Sequence, residues 1–120
     1  MRVIKPPQFE AEALELDGVA VVIVRGDMDL VTSPRFEAVV EQVIHDHVAL
    51  RPLLVDLEEC TFIDSTGLAI LLRAQDRLGE DPGLAIACAP AGAPDRLLEL
   101  AARNVVRRYA TRDDALAALR

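Results

Sequence analysis

Tryptophan is absent from this chain, and Tyr and Phe occur only once and three times, so its interior has to be built from Val, Leu, Ile and Ala. Such an interior fits an α/β arrangement better than a β-sandwich. Lysine occurs once, at Lys5, and the net charge is −7. No clustered basic surface is available to meet nucleic-acid phosphates, which argues against direct nucleic-acid contact. Cysteine is limited to Cys60 and Cys88, with no Cys-x-x-Cys spacing; the pair reads as reduced core residues of a cytoplasmic protein. Apolar runs are strand-length, as in residues 19–24, well short of the ~18 residues of a membrane span, so no membrane insertion is expected. The stretch Met1-Arg2-Val3-Ile4-Lys5-Pro6-Pro7 lacks the apolar core of a signal peptide. His45 and His47 point to different sides of a helix at their spacing and have no Cys or carboxylate cluster beside them, so neither a metal site nor a catalytic base is expected. A Gly-rich phosphate loop followed by lysine is missing as well, and no nucleotide or other cofactor is expected.

What the chain does contain is enough for one core: 120 residues, 52% of them hydrophobic, read as a single domain over residues 1–120. Residues 9–16 alternate apolar and acidic side chains, as a half-exposed strand does, and Asp17-Gly18 is a hairpin turn leading into the apolar strand 19–24, which Gly26 should end. Ser33 reads as a helix cap with Pro34 in the first helical position. Phe36, Val39, Val40, Val43 and Ile44 then follow the spacing of one buried helical face, ending near Leu50 because Pro52 disfavours helical geometry at Arg51. Residues 53–57 form the next buried strand, and the helix 65–78 should stop at Gly79. A short strand at 84–88 follows, then a turn over 90–94 and a helix over 95–103 with Leu97, Leu98, Leu100 and Ala101 inward. A last strand is read at 105–109, and a tail helix capped by Thr111, with Asp114 three residues on and Leu116 and Leu119 packing.

The junction Phe62-Ile63-Asp64-Ser65-Thr66-Gly67-Leu68 carries the functional signal. A serine in the first turn of a helix lies near unpaired backbone N–H groups and the positive end of the helix dipole, where a phosphate is tolerated. Ser65 is thus a candidate phosphoacceptor, with Thr66 as the alternative; local chemistry alone reads Asp64, Ser65 and Thr66 equally as helix-capping residues. A hydrolase nucleophile does not fit, because Gly-x-Ser-x-Gly is absent: Ile63 stands two before Ser65 and only Gly67 follows at the right distance. No catalytic residue is assigned. Leu68, Ile70, Leu71 and Leu72 read mostly as core. Acidity is concentrated in the first half, with 13 acidic and 5 basic side chains in residues 1–64 against 7 and 8 in residues 65–120. A basic partner surface is the natural complement, while Glu58-Glu59 reads as a solvated turn.

Gly26-Asp27-Met28-Asp29-Leu30-Val31-Thr32, together with Asp56-Leu57 and the Asp64-Ser65-Thr66-Gly67-Leu68 segment, resembles a STAS domain of the anti-sigma-factor-antagonist type over nearly the whole chain. Asp27 stands where that family more often has Glu, Cys60 where an aliphatic or small residue is usual, and Ala69 where Gly is common. The resemblance implies an α/β STAS fold, a mixed four- to five-stranded sheet with an N-terminal hairpin and about four α-helices. It implies that Ser65 is phosphorylated by a partner that is both a serine kinase and an anti-sigma factor, that the unphosphorylated form binds this partner and frees the sigma factor, and that a phosphoserine phosphatase restores binding. It gathers Asp27, Asp29, Thr32, Asp64, Thr66, Gly67 and Leu68 as the partner-binding set, with Asp29 beside the acceptor and with Glu58 and Glu59 nearby. In this reading Gly67 keeps the first turn open to the kinase, packing being its other reading. STAS domains also serve as subunits of transporters or stress-sensing assemblies, and that alternative role as an interaction module stays open at this point.

Overall fold

The computed structural model describes residues 8–46, 52–80 and 83–119. Its elements run β1 (Glu10–Leu16), β2 (Val19–Met28), α1 (Ser33–Asp46), β3 (Leu53–Ile63), α2 (Ser65–Leu78), β4 (Leu84–Ala87), α3 (Ala93–Ala101), β5 (Arg107–Tyr109) and α4 (Arg112–Leu119). The five strands lie in the order β1-β2-β3-β4-β5; β1 and β2 pair antiparallel and the other neighbours pair parallel. The expected mixed α/β sheet with an N-terminal hairpin is the fold observed. Asp17 at φ 52° and Gly18 at φ 79° both lie in the left-handed region, as a two-residue hairpin turn matched to strand twist requires.

Two apolar layers flank the sheet because alternate strand residues point to opposite faces. Val22, Val24, Val55 and Ile86 meet Phe36, Val40, Ile70, Leu71 and Leu98 of α1, α2 and α3. On the other face Val19, Val21, Ile23, Leu54 and Ala85 meet Ala115 and Leu116 of α4. Pairs of ions between Arg73 and Glu37 and between Arg77 and Glu41 join α2 to α1 at the surface. Among the described residues no helix is long and apolar enough to cross a membrane, and no group of three or more His, Cys, Asp or Glu could hold a metal ion.

Several expectations change. Gly26 does not end β2: at φ 90° it takes up a register shift and the strand runs on to Met28. A Cβ there would lie 3.1 Å from the Gln8 carbonyl oxygen. Glu58 and Glu59 are not a turn but exposed positions in the continuous strand β3. Ser33 is the first residue of α1 and not its cap, since its N–H bonds the Asp29 carbonyl at 2.8 Å. In α3 the buried stripe is Pro94 and Leu98, continued by Ala102 just past the helix. That i, i+4, i+8 line turns Leu100, 86% exposed, and Ala101 outward. Val105 precedes β5 and is half exposed. Cys60 and Cys88 are buried free thiols, each pushed up to about 11 chiefly by burial. The predicted end of α1 near Leu50, together with His47 and the Met1 to Pro7 segment, lies outside the described residues.

Candidate functional site

Parallel pairing of β2 and β3 brings their ends together, with Asp27 opposite Phe62 and Met28 opposite Ile63. The Asp64 N–H then donates to the Met28 carbonyl at 3.1 Å. The loop before α1 and the start of α2 therefore lie side by side at one end of the sheet.

Asp64 is the N-cap of α2. Its carboxylate accepts from the backbone N–H of Thr66 at 2.9 Å and of Gly67 at 3.3 Å, and from the Thr66 hydroxyl. These bonds hold its pKa below the ordinary carboxylate value, the Thr66 hydroxyl contributing most, against partial desolvation; the N–H groups of Gly67, Thr66 and Leu30 add to the lowering. The capping role thus belongs to Asp64, not to Ser65. Two of the N–H groups expected to be open to a phosphate, those of Thr66 and Gly67, are already taken by this carboxylate, whose short side chain reaches them from the cap position. Ser65, one residue on, is exposed. No hydrogen bond involves its hydroxyl among the described residues.

The neighbouring loop is held by its own polar groups. The Asp29 carboxylate accepts from the N–H of Val31 at 2.9 Å and of Thr32 at 3.0 Å. The Thr32 hydroxyl donates to the Asp27 carbonyl at 2.7 Å and accepts from the Asp29 N–H at 2.9 Å. Asp29 and Thr32 therefore frame the loop, and their visible partners are local. Asp27 is exposed and accepts from the Thr61 hydroxyl across the strand pair. With its backbone held this way, the loop turns Leu30 and Val31 outward, 72% and 82% exposed, and Phe62 on the adjoining strand end is 46% exposed. Isolated exposed apolar residues are ordinary, but three on adjoining loop and strand ends form a patch suited to protein contact. Sequence reasoning passed over these three. The available signal was Leu30-Val31 standing between two loop-forming polar residues with no strand or helix period to bury them.

Gly67 faces inward. A Cβ at this position would come within 2.6 Å of Met28 Sδ and 2.8 Å of Ile63 Cγ1, so close packing of α2 on the two strand ends requires a glycine. Leu68 is half-buried against the core. Glu58 and Glu59, expected near the acceptor, are engaged elsewhere. Glu59 pairs with Arg25 at 2.7 Å, and Glu58 accepts from the Arg112 N–H at 3.3 Å.

The family described as "Mlab, STAS domain" matches residues 12–106. An anti-sigma factor antagonist from Mycobacterium paratuberculosis is 31% identical, superposes with a TM-score of 0.84, and the likeness covers 93% of this chain and 94% of that one. The chain belongs to the STAS domain family, of the anti-sigma-factor-antagonist type. It is 29% identical over 75 residues to the anti-sigma-F factor antagonist RsfB of Mycobacterium tuberculosis, a match spanning 62% of this chain and 60% of that relative's length. The Bacillus cell fate determinant SpoIIAA in its phosphorylated form shares the fold, with a TM-score of 0.65 at 17% identity, over 94% of this chain and the whole of that one.

Proposed function

We propose that the unphosphorylated chain binds a kinase-type anti-sigma factor in the cytoplasm, frees the sigma factor, and is switched off by phosphorylation of Ser65, a phosphatase reversing the change. The observation that carries this reading is the exposed, uncommitted Ser65 hydroxyl beside the Leu30, Val31 and Phe62 patch. Thr66 is the poorer acceptor because its hydroxyl is spent on Asp64. The general base and Mg²⁺ ligands for phosphoryl transfer belong to the kinase, and this chain has only to present the hydroxyl.

A phosphate on Ser65 adds about −1.5 to −2 charges. The Thr66 and Gly67 N–H groups are occupied by Asp64, so the new charge faces outward, next to Asp64, into the partner surface. Like-charge juxtaposition and desolvation at an interface cost several kcal/mol, and about 1.4 kcal/mol is already tenfold in affinity. Asp27, Asp29, Thr32, Thr66, Gly67 and Leu68 support the surface mainly by shaping the two loops. Kinship with the Mycobacterium paratuberculosis antagonist supports the partner class.

Affinity capture from native extract tests the proposal, with wild type, Ser65→Ala and Ser65→Asp as baits and mass spectrometry as the readout. Wild type and Ser65→Ala are expected to retain a serine-kinase-like ATPase that Ser65→Asp releases. Capture of the same transporter subunit by all three baits would reject the switch and favour an interaction module of another assembly.

A further inference from the structure

Near its end β3 departs from regular alternation, and the departure decides that Phe62 faces outward. β2 and β3 pair in parallel, a setting in which bulges are uncommon, yet the pairing steps from Ile23–Asp56 to Arg25–Glu59 and again from Gly26–Cys60 to Asp27–Phe62. Each step takes one more residue of β3 than of β2. Inward positions of a regular strand are two residues apart, but those of β3 fall three apart here, at Leu57, Cys60 and Ile63. Counted on from Cys60, regular alternation would bury Phe62 and expose Ile63. The extra residue, Thr61, reverses both. Turned inward, Ile63 is the residue against which Gly67 packs, so the same bulge seats the start of α2.

A bulge leaves its extra residue outside the ladder and loosens the strand locally, so side-chain bonds matter more there than in a regular strand. Two of them hold this one. On the exposed side the Thr61 hydroxyl donates to the carboxylate of Asp27, the β2 residue opposite Phe62. On the buried side the Cys60 thiol donates to the Phe62 carbonyl at 3.2 Å, and burial, which pushes that thiol up to about 11, keeps it protonated as a donor. We infer that Thr61 is a positioning residue for the partner surface: its bond to Asp27 fixes the bulge, and the bulge fixes the outward aim of Phe62. Thr61 acts through that ring and need not touch the partner itself. This role rests on Leu30, Val31 and Phe62 meeting the anti-sigma factor as proposed.

Thr61→Val, which removes the hydroxyl and keeps the branched shape, and Thr61→Ser, which keeps the hydroxyl, test this on the whole chain. Residual dipolar couplings of the backbone amides report the bulge with no partner present. Wild type and Thr61→Ser are expected to fit the structure, and Thr61→Val to show reduced couplings at residues 61 and 62 alone, at an unchanged melting temperature. Titrated with the captured anti-sigma factor, Thr61→Val is expected to bind about fivefold more weakly, the size of one modest hydrogen bond, and Thr61→Ser like wild type. In a Phe62→Ala background Thr61→Val is expected to cost nothing further, because the two positions act as one. The inference is overturned by unchanged couplings in Thr61→Val, by equal affinity of Thr61→Val and wild type, by failure of Thr61→Ser to restore binding, or by an undiminished loss in the Phe62→Ala background, which would make Thr61 a direct contact. Absence of any anti-sigma factor bound to wild type would sink the proposed function instead, and the couplings would still decide whether Thr61 holds Phe62.

Discussion

Helices α2 and α4 start in nearly the same way and are used in opposite ways. Each begins after a cap whose side-chain oxygen accepts an N-terminal N–H: Asp64 for α2, and Thr111, which accepts from Asp114 at 3.0 Å, for α4. In α4 the first helical residue, Arg112, is turned into the fold. Its guanidinium lies 3.6 Å from the buried Asp56 carboxylate, and its N–H donates to Glu58. Asp56 in turn accepts from the Glu58 N–H at 3.0 Å, and burial is the main cause that raises the Glu58 pKa. In α2 the corresponding residue, Ser65, is exposed, with no hydrogen bond to its hydroxyl among the described residues, at the same end of the sheet as exposed Leu30, Val31 and Phe62. One helix start fastens the tail to the sheet and the other presents a surface. Capping chemistry alone does not say which, because the residue after the cap decides it by what the sheet places beside it.

The largest effect that would sharpen this contrast falls on Ser65. Ser65→Asp is expected to weaken anti-sigma-factor binding about a hundredfold, about 2.8 kcal/mol, at an unchanged melting temperature. Leu30→Glu should weaken binding in the same direction without touching the hydroxyl. Calorimetric titration with the captured partner measures both, and full affinity in both variants would break the comparison. Next comes Gly67→Ala: crowding of Met28 and Ile63 costs about 1–3 kcal/mol and helix propensity returns up to about 1 kcal/mol. A net loss of stability should appear in urea unfolding.

Arg112→Ala removes the cation facing the buried Asp56. About 1–3 kcal/mol is expected for an undercompensated buried acceptor, toward the low end because the Arg112 side chain is 38% exposed and Asp56 keeps its bond from Glu58. Thr111→Ala should cost about 1 kcal/mol by losing the cap. Binding at Ser65 should survive both changes if the two helix starts are independent, which unfolding curves and titrations on the same variants would check.

The smallest expected effect is on acid stability. Asp64 has a folded pKa below its unfolded value of roughly 3.9, so its contribution is present above that value and is lost as pH falls through the lower folded pKa. Asp64→Asn should remove this component, giving a shallower loss of stability between pH 4 and the acid end, read from urea midpoints at successive pH values.

Much of the architecture was legible because it depends on residues close in sequence. Asp17-Gly18 marked the hairpin, Thr111 and Asp114 marked the start of α4, and α2 ends before Gly79, whose N–H bonds the Gln75 carbonyl at 2.9 Å. Misreadings occurred where distant pairing overrides local signals. Gly26 looked like a terminator, yet β3 pairs alongside β2 through two register shifts and carries it to Met28. Glu58-Glu59 looked like a turn, yet Arg25 and Arg112 engage them from another strand and from α4. Leu100 looked inward because a leucine-rich run fits more than one helical face, and packing of Pro94 and Leu98 on the sheet chose between them.

By itself the sequence determined the hairpin turn, the Thr111 cap, the order of strands and helices, and the presence of a serine at the start of α2, since the turn and the cap depend on side chains within about four residues of the backbone groups they satisfy. Tertiary structure alone decided that Gly67 serves packing and that exposed Leu30 and Val31 lie on a loop adjoining the strand end that carries Phe62 and leads into α2. Those outcomes depend on Met28 and Ile63 lying side by side, and that alignment comes from strand pairing between segments tens of residues apart.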